Sequence, residues 1–289
     1  MLVVFTDTDM DVTPEIAARY GFRLVSMPYS YDEKTIYPYE DFDEFDGPAF
    51  YDMLRSGVLP STSAISGSKY RRYFEPVFAG GDDILYLHFS AAMTMTFSVM
   101  DETVAELLKE YPERRFYSVD TKAITIGSLN IALEVGEMYK AGATAEEIRD
   151  WVEKEADHFA TYFFADDLKF FRKSGRVSGL KATMGTLLGV RPLININSEG
   201  KMGSIGSAKG RAKAIDALLN YVDELGQDIK AHRIVIGHTD VPDIVAEIRR
   251  RLTEKYGSDL NIVEVYANPT SGSHCGPNSC GISFYAKHR

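Results

Sequence analysis

The first half of the chain alternates short apolar runs with longer stretches of helical spacing. Leu2-Val3-Val4-Phe5 reads as the first strand, and Phe22 to Met27, Ile84 to Phe89 and Arg115 to Val119 are the next strand candidates. Gly67 to Phe78, Thr96 to Leu108 and Ala123 to Tyr139 carry the helical pattern between them. Thr13-Pro14-Glu15-Ile16 opens an earlier helix, with Thr13 as N-cap and proline at the first helical position, where its missing N–H costs nothing. This alternation is the signature of a parallel sheet wrapped by helices.

Thr144-Ala145-Glu146-Glu147 caps a helix running through Trp151 to about His158, and there the pattern changes. The second half offers strands at 161–165, 192–197, 201–207, 232–236, 261–266 and 282–286, with helices near 212–224 and 242–255. The two short strands flanking Glu199-Gly200 read as a hairpin, which makes this sheet mixed. The expectation is an α/β protein of two domains: residues 1–158 around a parallel sheet, residues 159–289 around a mixed one.

Composition narrows the function. With 42 acidic and 32 basic residues the formal charge is -10, which repels phosphate backbones and anionic membrane surfaces and argues against nucleic-acid binding. No apolar stretch reaches the roughly 18 residues of a spanning helix, and the N-terminus lacks a signal-peptide pattern, so a cytoplasmic protein is expected. Cys275 and Cys280 make no disulfide framework, and their spacing beside His274 does not match a zinc site, so they read as loop thiols with no metal.

Familiar catalytic signatures fail. Gly203 to Gly210 approaches a phosphate-binding loop but has Ala208 where the second glycine belongs. Asp9-Met10-Asp11-Val12-Thr13 matches the Asp-x-Asp-x-Thr pattern of magnesium-dependent phosphatases, yet Thr6, Asp7 and Thr8 separate Asp9 from the strand end where the nucleophile belongs. Turn residues and a helix cap are the plainer reading of that segment. Hydroxyl-rich segments follow strands at Pro60-Ser61-Thr62-Ser63 and Ser90 to Phe97, each at the start of a helix, where free N–H groups and hydroxyls suit an anion.

Seven segments occur in the order seen in the DegV family. They are Thr6-Asp7-Thr8, Pro60-Ser61-Thr62-Ser63, Val119-Asp120-Thr121, Phe164 to Leu168 continuing to Arg172 through Val177, Arg191-Pro192-Leu193, Gly237-His238-Thr239-Asp240 and Ser273-His274-Cys275-Gly276-Pro277. The chain therefore resembles DegV proteins over nearly its whole length. The resemblance implies a carrier with no reaction of its own and no cofactor, enclosing a long-chain fatty acid between its two domains. It implies that Thr62 and Thr94 hold the acid's carboxylate, with His274 joining the hydrogen-bond network and Ser63 and Met95 adjoining it. FakB-type members present the acid to a fatty acid kinase that forms an acyl phosphate, and the Arg172 to Arg176 region resembles the surface near that partner.

Tail burial would dominate binding: roughly 14 methylenes at ~0.8 kcal/mol each outweigh two or three hydrogen bonds at ~0.5–1.5 kcal/mol apiece. Phe89, Met93, Phe163, Phe164, Leu187, Leu188 and Ile194 are candidates for the tail pocket. Where the family has Ser-Gly-Thr this chain reads Thr94-Met95-Thr96, so Met95 is expected to crowd the carboxylate. Asn278 stands in a position the family gives to glycine and can adopt positive φ. Two other readings stay open: a magnesium-dependent phosphatase using Asp9 and Asp11, and a hydrolase or sensor acting on another small molecule through the hydroxyls and His274. A monomer is expected.

Overall fold

The computed structural model describes residues 1–166, 168–178 and 189–289. Leu187, Leu188 and Asp167 lie outside the described residues. In chain order the elements are β1 (Leu2–Asp7), α1 (Pro14–Tyr20), β2 (Arg23–Val25), β3 (Tyr29–Tyr31), β4 (Lys34–Ile36), α2 (Gly47–Arg55), β5 (Ser61–Thr62), α3 (Gly67–Ala79) and β6 (Asp83–His88). Next come α4 (Thr96–Glu110), β7 (Phe116–Asp120), α5 (Ile126–Lys140), α6 (Ala145–Glu155), β8 (Phe159–Phe164), α7 (Lys169–Ser174), β9 (Val177–Ser178) and β10 (Val190–Ile196). The chain ends with β11 (Met202–Lys209), α8 (Gly210–Leu225), β12 (Ile234–His238), α9 (Pro242–Tyr256), β13 (Ile262–Tyr266), α10 (Pro269–Cys275) and β14 (Cys280–Tyr285).

The N-terminal sheet is fully parallel, in the order β2-β1-β6-β7. The chain runs from β1 to one side and then returns to β6 on the other, so the switch of direction falls between β1 and β6. An open α/β sheet places its crevice at that point, outside the carboxyl ends of the strands. The C-terminal sheet is mixed, in the order β13-β12-β14-β8-β10-β11-β9, and contains the expected β10–β11 hairpin. Gly200, at φ 74°, and the Asn197 side chain, which accepts from the N–H groups of Glu199 and Lys201, shape its turn.

α5 holds the two sheets together. From Ile126 to Gly136 it is buried almost all round, as a helix with apolar residues on every face must be. It packs on β8, β12 and β14, and contacts α1 and α6 on the other side. Gly237 of β12 leaves room for the Ile126 side chain, which a Cβ there would strike.

Several elements depart from the sequence reading, among them α7 and β9, which lie where no element was assigned. A small antiparallel sheet, β4-β3-β5, carries Thr62. Its hairpin turns through Asp32 and Glu33 at φ 48° and 61°, a conformation usually announced by Asn-Gly, so the sequence showed no turn signal. α2 also lies in a stretch with no element assigned to it. The segment around His274, read as a glycine-rich loop, is the helix α10, capped by Asn268 with Pro269 at its first position. Among the described residues no helix is long and apolar enough to cross a membrane.

Candidate functional site

A cavity of about 210 Å³ opens at the carboxyl ends of β1 and β6, between the N-terminal sheet and the inner face of the C-terminal one. Thr62, Ser63, Thr94, Met95, Arg176 and His274 all line it. Segments more than 200 residues apart in sequence thus converge at its mouth, where Thr62 Oγ1 and His274 Nε2 are 3.0 Å apart.

Neighbouring bonds hold these groups in place. The N–H of Ile65 donates to Thr96 Oγ1 at 3.0 Å, which pins the Thr62–Ala64 loop against the start of α4. Tyr70 OH reaches the same Thr96 oxygen. Thr94 Oγ1 accepts from the N–H of Thr96 at 3.1 Å, leaving its own O–H proton free to donate. On the other side, Lys173 of α7 donates to the carbonyls of Leu59 and Pro60, one turn of chain before Thr62.

The charge at the mouth is positive. Burial, helped by the neighbouring charges of Arg176 and Lys173, lowers the His274 pKa to about 4, so the imidazole is neutral at physiological pH. Arg176 is exposed yet lines the cavity, and Arg172 is exposed on the adjoining helix.

Met95 does not crowd the site. Its side chain is 73% exposed, and its φ of -97° and ψ of -1° are open to any residue. Asn278 adopts φ 64°, the conformation its glycine-like position calls for. Cys275 and Cys280 line the cavity instead of sitting in a surface loop, and burial pushes both thiols up to about 12.

Of the apolar candidates, Phe89, Met93 and Phe163 line the cavity. Phe164 does not, because adjacent strand residues face opposite sides of a sheet, and it packs in the C-terminal core instead. Ile194 is sealed behind the wall with Phe171, while Ile196, two residues on, lines the cavity. Sequence reasoning missed Met27, Ile124, Ile126 and Met202 on the same wall. They come from segments read as strand ends and helix starts, and nothing local marks them.

The acidic run after β1 is also part of the wall. Asp9 and Asp11 line the cavity at 6% and 3% exposure, so they are not solvated turn residues. Asp7 accepts from the N–H of Phe89 at 3.2 Å and from Tyr86 OH at 3.3 Å, joining β1 to the end of β6. Asp9 accepts from Ser271 Oγ at 3.4 Å, and Asp11 from both nitrogens of Asn268 at 2.8 Å each. Burial raises all three carboxyls, Asp9 and Asp11 to about 7, with the charge of Asp11 adding to the effect on Asp9. Among the described residues no group of three or more His, Cys, Asp or Glu side chains is arranged to hold a metal ion.

Fold and site together define an α/β protein of two large sheets and one small one, with a largely apolar cavity that has hydroxyls and a neutral histidine at its mouth. The chain belongs to the DegV family, a family of uncharacterised proteins whose pattern matches residues 1–287. A DegV domain-containing protein of Clostridium perfringens is 29% identical over 282 residues, covering 98% of this chain and 96% of the relative. A DegV family protein from Thermus thermophilus, solved for its fatty acid binding, superposes with a TM-score of 0.85 at 25% identity, covering 99% of both chains. A stearic-acid-binding protein from Eubacterium ventriosum has the same fold, with a TM-score of 0.85 at 18% identity over 99% of both chains.

Proposed function

We propose that this protein binds a long-chain fatty acid in the cavity between residues 1–158 and 159–289, treated as two domains, and presents its carboxylate at the mouth. The observation that carries this reading is the Thr62–His274 pair at the opening of an apolar cavity, with Thr94 beside it. The fatty acid binding of the Thermus thermophilus relative supports it.

The hydrogen bonding fits an ionised acid. In the tautomer that carries its proton on Nε2, neutral His274 donates to Thr62 Oγ1, which leaves the Thr62 proton free to point at the carboxylate. Thr94 does the same, because its oxygen already accepts from Thr96. Ser63 and the backbone at Met95 complete the rim, and Arg176 supplies a nearby positive charge. The apolar walls hold the tail, which contributes most of the binding free energy, while the hydroxyls set its direction.

No catalytic group is required of the chain itself. The carboxylate faces out beside the exposed surface bearing Arg172 and Arg176, where a fatty acid kinase would reach it and form an acyl phosphate. Denaturing extraction and lipid mass spectrometry of purified protein, with a Thr62→Val, Thr94→Val double variant in parallel, tests the binding. Near-stoichiometric fatty acid in the wild type and its loss in the variant are expected. An empty wild type that refuses added fatty acid would remove the reading.

A further inference from the structure

One face of α2 grips both flanks of the helix that carries His274. Tyr51 OH donates to the carbonyl of Ala267, just before α10, at 2.7 Å. Arg55, one helical turn further along the same face of α2, reaches Asn278, just beyond the end of α10. Gly272 lets the two helices close, since a Cβ there would lie 2.7 Å from Tyr51 OH.

Arg55 binds two loops at once. Its Nη1 donates to Asp52 Oδ1 at 2.7 Å and Asp240 Oδ2 at 2.6 Å, and its Nη2 to the Asp240 carbonyl at 3.0 Å and Asn278 Oδ1 at 2.9 Å. Asp240 and Asn278 stand at φ 65° and 64°, so the guanidinium holds each loop at a left-handed turn. The loops are also tied to each other. The N–H of Asn278 donates to the Thr239 carbonyl at 2.9 Å and that of Ser279 to Thr239 Oγ1 at 2.7 Å, and both Thr239 and Ser279 line the cavity. In the other direction Arg55 ends α2, and the chain runs from it directly into β5 and Thr62. The arm that carries Thr62 and the loop that follows His274 are therefore fastened through one side chain.

We propose that Arg55 is a positioning residue for the carboxylate site, holding Thr62 and His274 at the separation an ionised acid needs. Arg55 is not itself among the residues that line the cavity. Its side chain is 31% exposed and its bonds go to polar groups, so its loss loosens the seam between α2 and α10 without emptying a core. Hydrogen bonds to a charged group are strong but depend steeply on distance and angle, so a small parting of the two arms weakens the grip on the head group and spares the tail. The inference rests on the fatty-acid reading of the cavity and adds what sets its preference for an ionised head.

The test compares stearic acid with methyl stearate. Dissociation constants are measured on delipidated wild type, Arg55→Met, Thr62→Val and the Arg55→Met, Thr62→Val double variant. Arg55→Met should weaken stearic acid about tenfold and methyl stearate no more than about twofold, because the ester head accepts weaker hydrogen bonds. In the Thr62→Val background the same substitution should cost stearic acid no more than about twofold, since the hydroxyl it positions is already gone. Asn278→Gly keeps the positive φ and removes one acceptor, so it should lower the acid-to-ester preference in the same direction, and it carries the test if Arg55→Met fails to fold. Unchanged acid binding, equal losses for acid and ester, or an undiminished loss in the Thr62→Val background overturns the positioning role and leaves the carrier reading standing. A wild type that does not bind stearic acid overturns both.

Discussion

Asp11 accepts the backbone N–H and the side-chain amide of Asn268 at 2.8 Å each, across 257 positions of sequence. Asn268 is in turn the N-cap of α10, accepting from the N–H of Ser271 at 2.9 Å. The loop after β1 thereby sets the helix that carries His274 to Thr62. Asp11→Ala removes the acceptor and leaves a buried N–H unmatched, so unfolding in urea should show a loss of about 2–4 kcal/mol. Asp11→Asn keeps an acceptor and sheds the buried charge, so its loss should be distinctly smaller.

Asp9 gives a pH dependence of defined sign. Its pKa is raised from 3.8 to about 7, so between these values the native state binds more protons than the unfolded chain. That contribution is fully present below about pH 4 and is lost as pH rises through 7. His274, lowered from 6.5 to about 4, works in the opposite sense, but only below 6.5. Between pH 6.5 and 8 the Asp9 effect should therefore stand clear of it. Thermal melts should show Asp9→Asn gaining on the wild type across that range, by about 5 °C at pH 8 if ~2 kcal/mol is recovered.

At the mouth the oxygen matters more than the methyl. Thr62→Val should weaken fatty acid binding about ten- to a hundredfold, the range for a hydrogen bond to a charged group, whereas Thr62→Ser should stay within about threefold of wild type. Fluorescence displacement titration reads both. Equal losses in the two variants would mean that packing of the Thr62 methyl, and not its hydroxyl, carries the site.

Gly276 ends α10 at φ 72°, and a Cβ there would run into the ring of Phe170 on α7. Gly175 has φ 68° with open space around it. Alanine at Gly175 should cost about 1–2 kcal/mol from the left-handed backbone alone. Alanine at Gly276 should cost about 1–3 kcal/mol more, because two buried elements must separate. Parallel denaturant titrations of the two variants isolate the clash.

Much of the fold was legible in the chain because apolar periodicity is written locally. The four parallel strands, the α3, α4 and α5 helices, the Thr144 cap and the hairpin at Glu199-Gly200 all follow from spacing and capping residues. The β3–β4 hairpin was not legible, since Asp32 and Glu33 adopt positive φ without the residues that usually signal it. α10 could have been found, as Asn268-Pro269 before it and Gly276 after it are ordinary start and stop signals.

The order of motifs along the sequence by itself determined the family, and with it the hydroxyl and histidine positions at the mouth. Only the tertiary structure decided what surrounds them. Met95 turns to solvent, Phe164 turns away from the cavity, Arg176 joins the rim, and Asp9 and Asp11 leave the surface to become wall. The reason is physical: strand and helix periodicities act over a few residues, whereas burial, charge neighbours and cavity walls come from segments that meet only when both sheets close on α5.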